Sequence, residues 1–311
     1  GRFNNWEPAT VPMEVPGRGQ MSPVRPEIER RMSNALAGKT MYVIPYLMAV
    51  PGSHWIQWAV GVELTDRRYV ALHMISRMAR GGQEALTALG DSDQFVPGVQ
   101  VTGNLDALKR ATPQDPRDDR LFVTFPDTRE ISHYGSAYGG NALLGKIAHG
   151  LRLASFDAHR NGWLVAQMGL MGIEDTHTGK TTYFVVGFPS ASGKTNLVMM
   201  RPPDALADRY KVHFLGDDIV WMRRGEDGKV YAMNPEYGVF GVVPDTNEQS
   251  NPNAMAAIGP GSGTIFTNVA YNEQTKELWW EGKTPNYPDD LTGWLDWQGK
   301  RISDRPVEQQ R

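Results

Sequence analysis

The residues with the clearest chemical potential lie in one short segment in the second half of the chain, 188–196. An apolar run, 182–188, predicts a buried strand before this segment, and the residues after it predict the start of a helix. Small residues there let backbone N–H groups approach phosphate oxygens, and a helix start adds a favourable dipole. Lys194 supplies a mobile positive charge, and the Thr195 hydroxyl suits Mg²⁺. The segment predicts a phosphate- or nucleotide-binding loop made of Ser190, Ala191, Ser192, Gly193, Lys194, Thr195 and Asn196.

Two features of the sequence limit this interpretation. The usual phosphate loop has a glycine where this chain has Phe188, so a small-residue turn with a solvated lysine is the alternative. A second Gly-Lys-Thr triplet, 179–181, precedes a predicted strand rather than a helix. Because it lies among polar residues that favour turns, we predict that this second triplet forms a hairpin turn.

Two adjacent carboxylates, Asp217 and Asp218, follow the next predicted strand, 212–215. Carboxylates at a strand end can hold a metal ion on bound phosphates. The alternative is an Asp-rich turn, and the proximity of the predicted phosphate loop favours the metal-binding interpretation. The seven histidines show no metal-ligand spacing.

A glycine-rich segment, 135–141, precedes a predicted helix in the first half of the chain. Three glycines and Tyr138 at a helix start could bind a carboxylate or a phosphate. A flexible strand–helix connection explains the same spacing equally well. Leu143, Ile147 and Leu151 recur at helical spacing and predict the helix that follows.

The elements that position these residues are predicted to include both strands and helices. Strands are expected at 40–48, 60–65, 121–126 and 264–269, and helices at 26–37 and 73–80. Residues 90–118 are polar and rich in turn-forming residues, so we predict loops there. From residue 229 the chain is expected to form short strands and turns. Together the elements predict a mixed α/β fold with two lobes.

Composition excludes several functional classes. The chain has 311 residues, a formal net charge of −3 and no cysteine, which excludes disulfides, thiolate metal sites and a cysteine nucleophile. The mildly acidic balance does not favour a general nucleic-acid partner, and no apolar run approaches the ~18 residues of a membrane span. Because the sequence starts at Gly1 without a methionine, we expect a processed chain or part of a longer one.

Several segments together resemble the GTP-type phosphoenolpyruvate carboxykinase family. Beside the loop at 188–196, the resembling segments in chain order are 38–45, 62–66, 138–146, 216–219, 234–236, 251–254 and 265–269. The resemblance implies a two-lobed carboxykinase-like α/β fold with a P-loop-containing lobe. It implies an N-terminal arm at 1–37, a substrate-binding lobe at 38–160 and a phosphate- and metal-binding lobe at 161–311. Since the family continues beyond the segment that matches, we expect this chain to be the central part of a longer enzyme.

The resemblance also implies an activity and its participants. Family members interconvert oxaloacetate with phosphoenolpyruvate and CO₂, and use GTP as the phosphoryl donor with Mn²⁺ and Mg²⁺ as cofactors. The expected partners are these small molecules and the rest of the parent chain, without nucleic acid or membrane. A cytoplasmic location is expected.

Site residues are carried over from the family by position. Lys194, Ser192 and Asp218 would belong to the catalytic set, and Phe240 would lie near the nucleotide. The metal ligands would be Asp218, Thr195, Asp217 and Gln167. The oxaloacetate pocket would be lined by Tyr138, Gly139, Gly140 and Asn141.

The sequence departs from the family pattern at the expected metal site and in the loop. Ile147 stands where the family has a metal-binding lysine, and Gln167 stands where it has a histidine. Ile147 cannot ligate a metal, and an amide is a weaker ligand than imidazole. Ser192 replaces a reactive cysteine. We therefore expect a remodelled Mn²⁺ site.

Three functions stay open on the sequence. The first is a GTP-dependent carboxykinase with an unusual metal site. The second is the pyrophosphate-dependent branch of the family, which the changes at the metal site with an intact phosphate loop favour. The third is a non-catalytic paralogue that binds phosphate or nucleotide. The loss of two metal ligands favours it, and the retained Lys194, Thr195 and Asp218 disfavour it.

Overall fold

A computed structural model describes residues 24–103, 121–135, 143–188 and 192–304 with their side chains, and the backbone of three short strands nearer the start. The chain forms two compact units, which interleave along the sequence. The first comprises Gly1–Leu170, Val185–Pro189 and Leu215–Phe240, and the second comprises Met171–Phe184, Ser190–Phe214 and Gly241–Arg311. Within the described ranges, no helix combines the length and apolar character that crossing a bilayer requires.

In the part of the chain that the structure describes, nine strands of the first unit precede residue 135. They are β1 (Asn4–Asn5), β2 (Met13–Val15), β3 (Gly19–Met21), β4 (Tyr42–Leu47), β5 (Val60–Thr65), β6 (Arg80–Gly81), β7 (Val96–Val101), β8 (Leu121–Phe125) and β9 (Glu130–Tyr134). Strands β2 and β3 form an antiparallel pair. The other seven form one sheet in the order β1-β8-β9-β7-β5-β4-β6. The sheet is mixed, because β5, β7 and β9 run parallel while β4 pairs antiparallel with β5.

Helices of the first unit pack on this sheet through apolar side chains. They are α1 (Val24–Met32), α2 (Ile56–Ala59), α3 (Arg68–His73), α4 (Gln83–Leu89) and α5 (Ala154–Asn161). A π-helical turn, Met74–Met78, continues α3. A second π-helical segment, Gly145–Leu153, leads into α5, and we call it the wide helix. Leu144, which precedes it, packs on β7 where Gly98 has no side chain, about 3.0 Å from the position a Cβ would take.

The next six strands along the chain come directly after α5. They are β10 (Leu164–Ala166), β11 (Met168–Asp175), β12 (Lys180–Gly187), β13 (Tyr210–Gly216), β14 (Val220–Arg224) and β15 (Val230–Met233). Strands β10, β14 and β15 form an antiparallel sheet in the first unit, in that order. Strands β12, β11 and β13 form another three-stranded sheet, and most of its residues belong to the second unit.

Trp221 connects the antiparallel sheet β10-β14-β15 to the wide helix. Its side chain is fully buried in a core cluster with Leu47, Ile219 and Met233. Its indole Nε1–H donates a hydrogen bond of 2.7 Å to the carbonyl oxygen of Gly150. A buried indole needs such a partner, so the bond fixes the wide helix relative to the strand that carries Trp221.

The remainder of the second unit consists of short elements. Its helices are α6 (Lys194–Val198) and α7 (Pro252–Ala257), with 3₁₀ turns at Asp204–Leu206 and Ile302–Asp304. Strands β16 (Ala270–Asn272), β17 (Leu278–Trp279) and β18 (Trp294–Leu295) form an antiparallel sheet in the order β17-β16-β18.

Most expectations about the fold are confirmed. The fold is mixed α/β, and the predicted strands at 40–48, 60–65 and 121–126 contain β4, β5 and β8. The second Gly-Lys-Thr triplet lies at a turn between β11 and β12, where the Gly179 N–H donates to the Asp175 carbonyl oxygen at 2.8 Å. The predicted lobes, 38–160 and 161–311, are defined by sequence alone and stay a prediction.

Three element predictions are wrong, and a fourth is right in type but not in its bounds. The stretch predicted as loops, 90–118, contains β7, a central strand of the large sheet, and its residues 104–118 lie outside the described residues. Residues 264–269 are described and contain no strand. The strand before the phosphate loop, β12, is largely exposed rather than buried, with Tyr183 at 68%, and it lies at the edge of its sheet. The helix predicted at 73–80 starts five residues earlier, at Arg68, and ends at Met78.

Candidate functional site

Three polar side chains meet at one end of the strands of the antiparallel sheet β10-β14-β15. Gln167 follows the end of β10, Asp218 precedes the start of β14, and Glu236 follows the end of β15. Because neighbouring strands run in opposite directions, the last residue of β10, the first of β14 and the last of β15 lie at the same end of the sheet. The topology therefore brings together residues that are far apart in the sequence.

The loop that carries Asp217 and Asp218 is held in shape by Asn234. The Asn234 side-chain N–H₂ donates to the carbonyl oxygens of Asp217 at 2.7 Å and Ile219 at 2.8 Å. Its side-chain oxygen accepts a bond of 3.0 Å from the N–H of Glu236. A Cβ on Gly216 would lie 2.3 Å from the Asn234 Cβ, so this position has room only for glycine. Asp218 adopts a left-handed φ of 72°.

Lys146 reaches this loop from the wide helix. Its Nζ lies 2.8 Å from the Asp218 Oδ2 and 2.5 Å from the Glu236 Oε1. The side chains of Lys146 and Glu236 are 3% and 1% exposed, and that of Asp218 is 16% exposed. Burying a charge is costly unless it is paired, so the three groups depend on one another. We call Lys146, Asp218, Glu236 and Gln167 the Lys146 cluster.

Burial and charge act together on the protonation of this cluster. Burial acts against the ammonium of Lys146, but Glu236 and Asp218 outweigh it and raise the pKa of Lys146 above its ordinary value. Burial raises the pKa of Glu236 to about 7, although Lys146 acts in the opposite direction. Lys146 is therefore an ammonium at neutral pH.

The donor set at Asp218 does not fit a divalent metal ion. The Gln167 Nε2 donates to the Asp218 Oδ1 at 3.0 Å, and Lys146 occupies the other oxygen. Ile147 has no donor atom, and no group of three acidic or histidine side chains suited to a metal occurs within the described ranges. In the structure Gln167 and Lys146 are the partners of Asp218, and the assignment of Asp217, Asp218 and Gln167 as metal ligands stays a prediction.

The described part of the phosphate loop lies in the second unit. Gly193 has a left-handed φ of 90°, and Lys194 then opens helix α6. Lys194 is buried, Thr195 is half-buried, and Ser192 and Asn196 are exposed. The Asn196 side-chain oxygen accepts a bond of 2.8 Å from Asn251, the residue that caps helix α7. The loop-to-helix transition predicted at Lys194 is confirmed.

The other predicted site residues have different outcomes. Ser190 and Ala191 in the loop lie outside the described residues, as do Tyr138, Gly139, Gly140 and Asn141 of the glycine-rich segment. Phe240 belongs to the first unit, where it packs against a core cluster that contains Tyr46 and Leu144. Its predicted contact with a nucleotide stays a prediction.

Sequence reasoning did not assign a site role to Lys146, Asn234 or Glu236. The signal available was a lysine within an apolar helical repeat, since Lys146 lies between Leu143 and Ile147. A lysine in that position needs a buried acidic partner. Sequence alone could not identify the partner, because Glu236 is 90 residues away.

Comparison of the chain with known protein families gives two matches. Residues 17–159 match the phosphoenolpyruvate carboxykinase N-terminal domain, and residues 163–310 match the phosphoenolpyruvate carboxykinase C-terminal P-loop domain. The two matches together cover most of the chain. The chain therefore belongs to the phosphoenolpyruvate carboxykinase family.

Curated relatives are named phosphoenolpyruvate carboxykinase (GTP). The chain is 41% identical to the Chlamydia pneumoniae protein over 298 residues, which are 95% of this chain and 46% of that protein. It is 45% identical to the protein of Anaeromyxobacter sp. (strain K) over 267 residues, 86% of this chain and 41% of that protein. The Chlamydia abortus protein is 41% identical over 303 residues, 96% of this chain and 46% of that protein. The chain thus spans less than half the length of these relatives.

Proposed function

We propose that the parent protein is a phosphoenolpyruvate carboxykinase that converts oxaloacetate and GTP to phosphoenolpyruvate, CO₂ and GDP, and catalyses the reverse reaction. The observation that carries this proposal is the Gly193-Lys194-Thr195 turn, which opens α6 in a chain that matches both domains of the family. The partners would be these small molecules and the rest of the parent chain. A cytoplasmic location goes with this proposal.

The loop would act on the donor phosphates. Loss of CO₂ from oxaloacetate leaves an enolate, whose oxygen attacks the terminal phosphorus of the donor while the diphosphate leaves. Such a transfer requires positioning and charge neutralisation more than covalent chemistry. Lys194 would neutralise the charge on the transferring phosphoryl group, and backbone N–H groups at 192–196 would orient its oxygens. Tyr138, Gly139, Gly140 and Asn141 would hold oxaloacetate.

One divalent metal, Mg²⁺, fits the loop. The Thr195 hydroxyl, half-buried at the start of α6, is the oxygen donor that this ion takes beside phosphates. The ion would neutralise phosphate charge when it is bound. Mn²⁺ at Asp218 is not part of the proposed reaction.

Pyrophosphate is the second candidate donor. The observation that favours it is the pair of departures at Ile147 and Gln167, which replace the residues expected of a GTP-dependent enzyme, while the phosphate loop keeps Lys194 and Thr195. A pyrophosphate-dependent enzyme has no base to recognise.

An assay of the full-length parent protein distinguishes these functions. The protein would be assayed with oxaloacetate, Mg²⁺ or Mn²⁺, and GTP, ATP or pyrophosphate, with phosphoenolpyruvate as the measured product. We expect phosphoenolpyruvate with GTP. Activity with pyrophosphate alone would select the second donor, and absence of product with every donor would refute the enzyme and leave a non-catalytic paralogue.

A further inference from the structure

Asp218 has a more exposed side chain than Lys146 or Glu236, and both of its carboxylate oxygens are engaged. Lys146 Nζ lies 2.8 Å from Oδ2, and Gln167 Nε2 donates to Oδ1 at 3.0 Å. Beside it, the Asp218 N–H donates to the Asp217 Oδ1 at 2.8 Å. Among the described residues, the carboxylate therefore has donors from two different elements, the wide helix and the end of β10.

We propose that the ammonium of Lys146 replaces a divalent cation at Asp218, so that the Lys146 cluster binds no metal ion. Asp218 then orients Lys146, and Lys146 provides a fixed positive charge at this end of the sheet β10-β14-β15. Both are positioning residues in this account.

Geometry makes the ammonium and a metal ion mutually exclusive at Asp218. Oxygen ligands of Ca²⁺ or Mg²⁺ lie about 2.0–2.6 Å from the ion, in the space that the Lys146 Nζ occupies. An ammonium carries no lone pair and cannot itself be a ligand. Gln167 turns its N–H₂ toward Asp218, whereas a metal would require its carbonyl oxygen.

Packing around the cluster opposes a hydrated ion as well. The side chains of Lys146 and Glu236 are almost completely buried, and Mg²⁺ usually retains several waters when proteins bind it. Glu236 completes the neutralisation of Lys146 from the other side, with its Oε1 against the same Nζ. The positive charge that a metal ion would bring to Asp218 is thus supplied by the Lys146 ammonium.

The consequence for the reaction rests on the proposed function. If the parent protein transfers phosphoryl groups, its metal requirement is met by the ion that accompanies the donor phosphates, and Asp218 contributes none. The absence of a metal from the Lys146 cluster does not depend on that reaction. The two statements therefore fail separately: the product assay tests the reaction, and metal uptake tests the cluster.

Mn²⁺ uptake by the chain tests the proposal directly. Free hexaaqua Mn²⁺ would be measured by electron paramagnetic resonance during titration of the wild-type chain and of Asp218→Asn, which keeps the size of the side chain. We expect identical uptake by both proteins, whether that uptake is zero or arises elsewhere. A saturable site present in the wild type and lost in Asp218→Asn would overturn the proposal.

Removal of the ammonium gives the converse test. In Lys146→Met the Asp218 carboxylate is released, and we expect Mn²⁺ affinity at least tenfold higher than in the wild type. The double variant Lys146→Met/Asp218→Asn should lose that gain. A folded Lys146→Met chain with no gain would show that Lys146 does not exclude the metal. If circular dichroism finds Lys146→Met unfolded, the wild-type and Asp218→Asn comparison decides alone.

Discussion

The Lys146 cluster in the first unit and the phosphate loop in the second handle positive charge in opposite ways. In the cluster, Lys146 is paired with the carboxylates of Asp218 and Glu236, and the Gln167 amide donates to Asp218. In the loop, Lys194 follows a left-handed glycine at the first position of a five-residue helix, and Ser192 and Asn196 beside it are exposed. The cluster uses its charge internally, whereas the loop offers a helix start to an anion.

The difference indicates which region is structural and which is a ligand site. A buried charge contributes little to stability when paired, but removal of one partner is costly. A loop shaped by local backbone conformation depends less on distant residues. Substitutions should therefore affect folding in the cluster and ligand binding in the loop.

The largest expected effect on stability is that of Lys146→Met. The change leaves Asp218 and Glu236 without their buried partner, and it should cost about 3–5 kcal/mol of unfolding free energy. Urea denaturation monitored by circular dichroism measures this loss. The matched control is Lys229→Met, whose side chain is 78% exposed in its ion pair and should unfold like the wild type. Equal stability of the two variants would contradict the structural role of the cluster.

A second buried group of the first unit should make stability depend on pH. Glu63 is fully buried, its oxygens have no hydrogen-bond partner among the residues that the structure describes, and burial raises its pKa to about 8. Between the ordinary value of 4.5 and about 8, the folded state keeps a proton that the unfolded state releases. Stability should therefore fall as pH rises through this window, by roughly 1.4 kcal/mol per pKa unit at most.

Glu63→Gln cannot ionise, so it should lose much of this pH dependence. The measurement is the difference in unfolding free energy between pH 5 and pH 8 for both proteins. Glu236 contributes in the same direction as Glu63 and remains in the variant, so a smaller slope is expected to persist. An unchanged slope would show that Glu63 does not titrate as its burial implies.

Substitution of one glycine in each region, Gly216 beside the Lys146 cluster and Gly193 in the phosphate loop, tests the backbone of the two regions. Gly216→Ala should cost about 1–3 kcal/mol, because the new Cβ collides with Asn234. Gly193→Ala meets no described atom within 4 Å and should cost about 1–2 kcal/mol through its left-handed φ.

Asparagine substitutions separate these two causes, since asparagine tolerates the left-handed region. Gly193→Asn should therefore be more stable than Gly193→Ala, whereas Gly216→Asn should be no better than Gly216→Ala. Thermal unfolding of the four variants makes the comparison. If the Asn and Ala variants have the same order of stability at both sites, steric crowding at Gly216 and the left-handed φ at Gly193 are not separate causes of the two losses.

The smallest effect is expected at Asn251, which caps α7 and holds the phosphate loop. Its side chain accepts a bond of 2.9 Å from the Ala254 N–H and donates to Asn196. Asn251→Ala should cost about 1 kcal/mol. Asn251→Asp keeps the cap acceptor and loses only the donor, so it should retain most of the stability. If chemical denaturation finds the two variants equal, the cap is not what Asn251 contributes.

Local sequence patterns predicted the features that are formed by residues close together in the chain. The turn before Lys194, the strand that ends at Gly216 and the turn at Gly179 all depend on neighbouring residues. Strand β7 was missed because it contains Pro97 and Gly98, which usually interrupt strands. In the structure this strand lies between β5 and β9, and the absent side chain of Gly98 makes room for Leu144.

The Lys146 cluster could not be predicted, because its members converge only through strand pairing. Gln167 and Asp218 are 51 residues apart, and Lys146 and Glu236 are 90 apart. Their meeting requires the antiparallel order of β10, β14 and β15 and the bond that joins Trp221 to the wide helix. A single sequence contains no record of that pairing.

Calorimetric titration with pyrophosphate tests the central claim that residues 192–196 bind donor phosphates. The chain contains two Gly-Lys-Thr triplets, so Lys194→Ala and Lys180→Ala form a matched pair with the same change in sequence context. We predict that the wild type and Lys180→Ala bind pyrophosphate with equal affinity and that Lys194→Ala binds at least tenfold more weakly. Unchanged affinity of Lys194→Ala would contradict the assignment of the loop.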